Sequence, residues 1–194
     1  IVELSHQSTA LGDVPSHFVF DRVYIHGNPR LNSQRGLTIN SRSTAVIDSW
    51  ISECHFHGAD SQAICCWNGP GPFKIVNNFL EGGAENIMFG GAKNTAECMV
   101  AADIEIRRNH FYKNPAWFPL KYPNNWVIKN LFEIKTARRV LLEANVLEIW
   151  FDSFTAAGVD AGAYRLLPSS KVKGAASDGT DPGADVDAVM AATS

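Results

Sequence analysis

The chain has 194 residues, enough for one domain with a substantial core. Its formal charge of -3 is small and mixed, which argues against a nucleic-acid or anionic-membrane partner, and no apolar run approaches the roughly 20 residues of a membrane span. Cys54, Cys65, Cys66 and Cys98 have neither the paired spacing of a zinc site nor the density of a disulfide scaffold; they read as buried thiols, with a pairing of Cys54 to Cys65 or Cys66 left open.

The chain opens on Ile1-Val2-Glu3-Leu4 without an initiator Met, as if already inside a strand, so N-terminal sequence is expected to be missing. A short phrase then returns five times. It reads Phe20-Asp21-Arg22-Val23-Tyr24-Ile25, Ile47-Asp48-Ser49-Trp50-Ile51-Ser52, Ile75-Val76-Asn77-Asn78-Phe79-Leu80, Ile106-Arg107-Arg108-Asn109-His110-Phe111 and Leu142-Glu143-Ala144-Asn145-Val146-Leu147. A second register runs through Asn40, Asn68 and Lys135, each closing a short apolar run and each followed seven residues later by Ile47, Ile75 and Leu142. Between these phrases lie loops rich in Gly, Pro, Asn and Ser, at 27–34, 92–102 and 113–125.

Repetition at a few tens of residues marks a stacked architecture in which each unit buries its apolar face against its neighbours. The strands are short, rich in Ile, Val and Phe, and nowhere show sustained helical periodicity, which predicts an all-β chain. A strand, corner, strand unit in constant order points to a coil of parallel strands rather than a sandwich, with equivalent residues stacked about 4.8 Å apart. Asn78, Asn109 and Asn145 then fall at one position and predict an internal asparagine ladder, because Asn hydrogen-bonds its neighbours and tolerates tight bends.

On these repeats the chain resembles the right-handed parallel β-helix, or pectate-lyase-like, superfamily over residues 17 to 150. The segments 67–81, 85–91, 103–113 and 127–148 are similar to a group of bacterial right-handed β-helix proteins of mostly unassigned activity. The resemblance implies a right-handed β-helix of about five or six turns over 1–150 and a closing segment over 151–194. Members of that group carry further turns before the closing segment, so turns are expected to be missing near Trp150 and Asp152.

The resemblance also implies an extracellular or periplasmic, carbohydrate-active protein that binds or cleaves a polysaccharide along an outer sheet, with no membrane span. A lyase needs a base beside a uronate carboxylate and cations to offset the developing charge. The basic residues Arg107, Arg108, His110, Lys113, Lys129, Lys135, Arg138 and Arg139 are read as one surface, with Glu105 and Glu133 among them. Arg107, His110, Lys135 and Glu133 are the candidate catalytic residues; Lys113, Trp117, Trp126, Lys129 and Arg138 are the candidate substrate contacts. A solvated salt-bridge lattice, and an apolar lid around the tryptophans, are the competing readings of the same residues.

Asp21 and Asp48 are expected at equivalent positions of adjacent turns, the arrangement a hydrolase needs, although backbone capping accounts for both. His55 and His57 share a strand face without a third ligand of suitable spacing, so no native metal site is assigned. Asp178, Asp181, Asp185 and Asp187 read as turn capping in preference to calcium, which is the one cofactor considered. The contending function is a noncatalytic structural or adhesive rod that forms homo-oligomers through its exposed ends.

Overall fold

The computed structural model describes residues 1–6, 8–117 and 126–148. The closing segment, the suspected junction near Trp150 and the acidic residues 178–187 lie outside the described residues.

Five coils of three strands follow one another. They are β1 (Val2–Glu3), β2 (Ser16–Asp21) and β3 (Tyr24–His26); β4 (Arg35–Thr38), β5 (Arg42–Ile47) and β6 (Trp50–Cys54); β7 (Gln62–Cys66), β8 (Phe73–Val76) and β9 (Phe79–Gly82); β10 (Glu85–Phe89), β11 (Ala102–Arg107) and β12 (His110–Tyr112); β13 (Phe132–Ile134), β14 (Arg138–Glu143) and β15 (Val146–Glu148). First, second and third strands stack separately into sheets A, B and C, each five-stranded and each parallel throughout. The molecule is therefore an all-β, right-handed parallel β-helix. Among the described residues no helix is long and apolar enough to cross a membrane.

The core is the inside of the coil, filled by columns of like residues. Phe20, Val46, Ile75, Ile106 and Leu142 stack in sheet B, and Ile25, Ile51, Leu80, Phe111 and Leu147 in sheet C. In the middle coils these side chains are sealed from water, each contributing roughly 1.5–3 kcal/mol of burial.

The observed pairing corrects the expected register at one repeat. Phe20 pairs with Val46, so the second phrase begins at Val46, one residue earlier than read. Val46 and Ile47 are both β-branched aliphatics, and only packing decides that fully buried Val46 takes the interior column. As a consequence Asp21 lies beside Ile47, and the expected Asp21–Asp48 carboxylate pair does not form in register.

The invariant corner is also a different one. The A-to-B connections span 39–41, 67–72, 90–101 and 135–137, so that corner varies. The B-to-C corner is two residues in every coil: 22–23, 48–49, 77–78, 108–109 and 144–145. Its first residue is left-handed each time, with φ of 52° at Arg22, 51° at Asp48, 57° at Asn77, 51° at Arg108 and 52° at Ala144.

The second corner residue carries the ladder. Asn109 Oδ1 accepts from both nitrogens of Asn78, at 3.0 and 2.9 Å, and Asn145 Oδ1 accepts from both nitrogens of Asn109, at 2.9 and 3.0 Å. Each Nδ2 also reaches a backbone carbonyl: Val46, Ile75 and Ile106 in turn. At the N-terminal end Ser49 continues the chain, donating its hydroxyl to Ile47 O and accepting from Val23 N. A two-residue corner leaves buried backbone groups that no sheet partner reaches, and the ladder satisfies them.

Candidate functional site

The expected basic surface is divided among three faces, because consecutive strands of one coil point in three directions. On sheet B, Arg107 lies 3.1 Å from both Glu105 and Glu143, Arg138 reaches Glu97 at 3.1 Å, and Arg139 grips Asp103. On the sheet A side, Lys135 lies 3.3 Å from Glu133 and Lys129 2.6 Å from Asp60. On sheet C, His110 Nε2 is 2.7 Å from Glu148. Each of these arginines and lysines faces a carboxylate, as a salt-bridge lattice would have it.

Three candidate substrate contacts are interior instead. Lys113 is fully buried, and its ammonium donates to the carbonyls of Gly82, Gly83 and Ala84 at 2.6, 2.6 and 2.9 Å. Residues 83–84 are the whole connection from β9 to β10, so this ammonium fastens the tightest C-to-A corner. Burial pulls the Lys113 pKa down to about 7. Trp117 and Trp126 are buried against His55, with ring centroids 4.9 and 3.9 Å away. Neither ring stands clear of the coil. Burial holds the His55 pKa down at about 4, so the ring is neutral.

Lys129 and Glu133 do come together beside the buried Glu85, with Lys135 on Glu133. Gln62 Nε2 donates to Glu85 at 2.7 Å, but burial, reinforced by Asp60 and Glu133, raises the Glu85 pKa. Burial opposes ionisation of Glu133 as well, yet bonds from Asn130 and Lys135 outweigh it and hold that pKa low. The two carboxyls are pushed apart in the manner of an acid and a base. Glu85, however, has no exposed surface through which to meet a substrate.

Among the described residues, the outside of sheet C is an accessible face with binding chemistry. Tyr24, Trp50, Phe79, His110 and Val146 occupy one outward column, a strand spacing apart. Trp50 stacks on Phe79 with centroids 3.9 Å apart, Phe79 meets His110 edge-on at 5.2 Å, and Tyr24 stacks on His26 at 4.6 Å. Tyr112 extends the patch, 5.6 Å from Phe79. Tyr24 and Trp50 remain 66% and 49% exposed, a large apolar surface to leave in water unless something covers it.

Beside this column runs the exposed row of left-handed corner residues. Asn77 Nδ2 donates to Asp48 Oδ1 at 2.7 Å, and Arg22 is held by Asp21 through two bonds of 3.0 and 2.8 Å. Row and column line a shallow, open slot of about 440 Å³ that includes Arg22, Tyr24, Asp48, Trp50, Asn77 and Phe79. The sequence offered Trp117 and Trp126 as aromatic contacts and this column was missed. The signal was present: the residue after each ladder position is aromatic in four of the five phrases once the second phrase is set in register (Tyr24, Trp50, Phe79 and the imidazole of His110).

The four cysteines are free, with Cys54, Cys65 and Cys66 buried. Burial raises the pKa of Cys54 to about 12 and of Cys65 to about 11, and that of Cys66 also upward, so none of these three is a reactive thiolate. Among the described residues no group of three His, Cys, Asp or Glu side chains is arranged to hold a metal. No family model, curated protein or solved structure matches the chain. The fold therefore rests on strand topology and the site on its own chemistry.

Proposed function

We propose that this β-helix binds a polysaccharide along the outer face of sheet C. The observation that supports the reading is the outward column Tyr24, Trp50, Phe79 and His110, bordered by the polar row Asp48 and Asn77. Pyranose rings combine an apolar face with a rim of hydroxyls. A surface that suits them offers aromatic rings next to fixed acceptors and donors, repeated along the chain direction. A parallel coil supplies that repetition by construction, since four successive turns each add one ring to the column. Kinship with the pectate-lyase-like superfamily, a bacterial source and an extracellular or periplasmic location all accord with a polymer as ligand and belong to the same proposal.

The test is binding to a panel of neutral polymers (β-glucan, xylan, galactan) and uronate polymers (polygalacturonate, alginate), read by tryptophan fluorescence and affinity electrophoresis. Trp50→Ala should weaken binding at least about ten-fold, a loss of about 1.4 kcal/mol, while costing the fold less than about 1 kcal/mol. Binding to no member of the panel, or undiminished binding by the variant, refutes the reading. The same incubations, followed for ultraviolet-absorbing unsaturated ends and new reducing ends, report whether a bound chain is also cut.

Self-association of a noncatalytic rod is the second reading. It draws on Leu141 and Val146, outward-facing apolar residues of β14 and β15 that are exposed. Sedimentation velocity across a hundred-fold concentration range should then show a rising mass; a constant monomer excludes it.

A further inference from the structure

We propose that the slot beside Trp50 selects neutral, hydroxyl-rich sugars over uronates, and that Asp48 is the selecting residue. This rests on the binding reading above and deepens it.

The slot lies at the B-to-C corner, where left-handed backbone at Arg22, Asp48 and Asn77 lines up three exposed polar side chains next to the rings of Tyr24, Trp50 and Phe79. Among its lining, Arg22 and Asp48 carry one charge each, and Asp21, bonded to Arg22 at the slot's edge, adds a second carboxylate. Arg22 is gripped by Asp21 through both Nε and Nη2, so its guanidinium is already answered by a carboxylate before Asp48 is counted. Asp48 stands as a second carboxylate against that one guanidinium, with only a neutral amide, Asn77, bonded to it. Arg108, the next cation in the corner row, lies outside the slot. The remaining arginines near this corner belong to sheet B and face their own carboxylates, Arg107 between Glu105 and Glu143.

A sugar ring seated against Trp50 therefore presents its rim to an acceptor-rich edge. A carboxylate accepts hydroxyl protons well, and the bond from Asn77 holds the Asp48 group in one orientation so that little freedom is lost on binding. A uronate in the same place brings a second carboxylate, which donates nothing and repels Asp48. In water a single like-charge contact of a few ångströms is worth roughly a five-fold difference in affinity. The basic residues that suggested a uronate lyase lie mainly on the other two faces.

The experiment compares neutral and uronate members of the polysaccharide panel at low and at high salt, with wild type and Asp48→Asn. The neutral polymer that binds best should exceed the best uronate by about five-fold or more, and salt should narrow the gap. Asp48→Asn should bring the uronate to within about two-fold, because the amide keeps the shape and removes the charge. Uronate binding as tight as neutral binding, or a ratio unchanged in Asp48→Asn, overturns the selectivity and leaves the binding reading standing. Failure of every polymer to bind removes that reading and the selectivity with it.

Discussion

Asn109→Ala should cost about 4 kcal/mol, a large part of the 5–15 kcal/mol that stabilises a typical domain. Asn109 is 1% exposed and makes four side-chain bonds. Of its partners, Asn78 Nδ2 retains Val46 O and Asn145 Oδ1 retains the Asn109 amide. The Asn78 amide loses the acceptor at 3.0 Å and the Ile75 carbonyl loses the donor at 2.9 Å, both inside the coil. Stranding a buried backbone group costs about 1–3 kcal/mol, which for two such groups centres on the value above. Asn145→Ala should cost only about 1–2 kcal/mol, because Asn145 is half-buried and water replaces part of what it supplies. Asn109→Ser, which copies the role of Ser49 two rungs away, should recover about half of the loss. Urea unfolding followed by far-ultraviolet circular dichroism and by tryptophan fluorescence gives the three values. A loss below about 1.5 kcal/mol for Asn109→Ala, or an equal loss for Asn145→Ala, would refute the idea that the ladder satisfies groups nothing else reaches.

The other predictions concern the corners and His55. Lys113→Met should lower stability by about 3 kcal/mol by leaving the carbonyls of Gly82, Gly83 and Ala84 without their donor; a melting temperature within a degree or two of wild type would contradict it. His55, ordinarily near 6.5, is held at about 4 by burial, so the unfolded chain binds its proton first as pH falls. That makes the His55 contribution complete above pH 6.5 and progressively lost down to about pH 4, so His55→Phe should flatten this part of the stability profile; parallel profiles would count against it. Ala144→Gly should stabilise by about 0.5 kcal/mol, since relief of a left-handed alanine outweighs the extra freedom of glycine in the unfolded chain; a destabilised variant would show the backbone there is not strained.

Much of the fold was legible because a solenoid writes the same local problem repeatedly. The rungs Asn78, Asn109 and Asn145 were visible as a column in the sequence, since the amide recurs in step with the interior aliphatics. The slip at Val46 and Ile47 was not resolvable, because two adjacent aliphatics satisfy the same pattern and a shift of one changes which faces inward. The functional candidates fared differently. His110, Lys135 and Arg138 are close in sequence or in phrase yet sit on sheet C, after sheet A and on sheet B. Lys113 looked like a surface cation, and only the tightness of the 83–84 corner reveals why an ammonium is wanted inside.

The amino-acid sequence by itself determined the parallel coil, the column of asparagines and the approximate place of each strand. Those follow from periodicity, which a one-dimensional string records directly. Tertiary structure alone decided which outward positions share a face: the split of the basic residues over three sheets, the burial of Lys113, Trp117 and Trp126, and the aromatic column beside the Asp48 slot. The physical reason is that neighbours along a β-helix are a full coil apart in sequence, and loops of differing length hide that correspondence until the strands are paired.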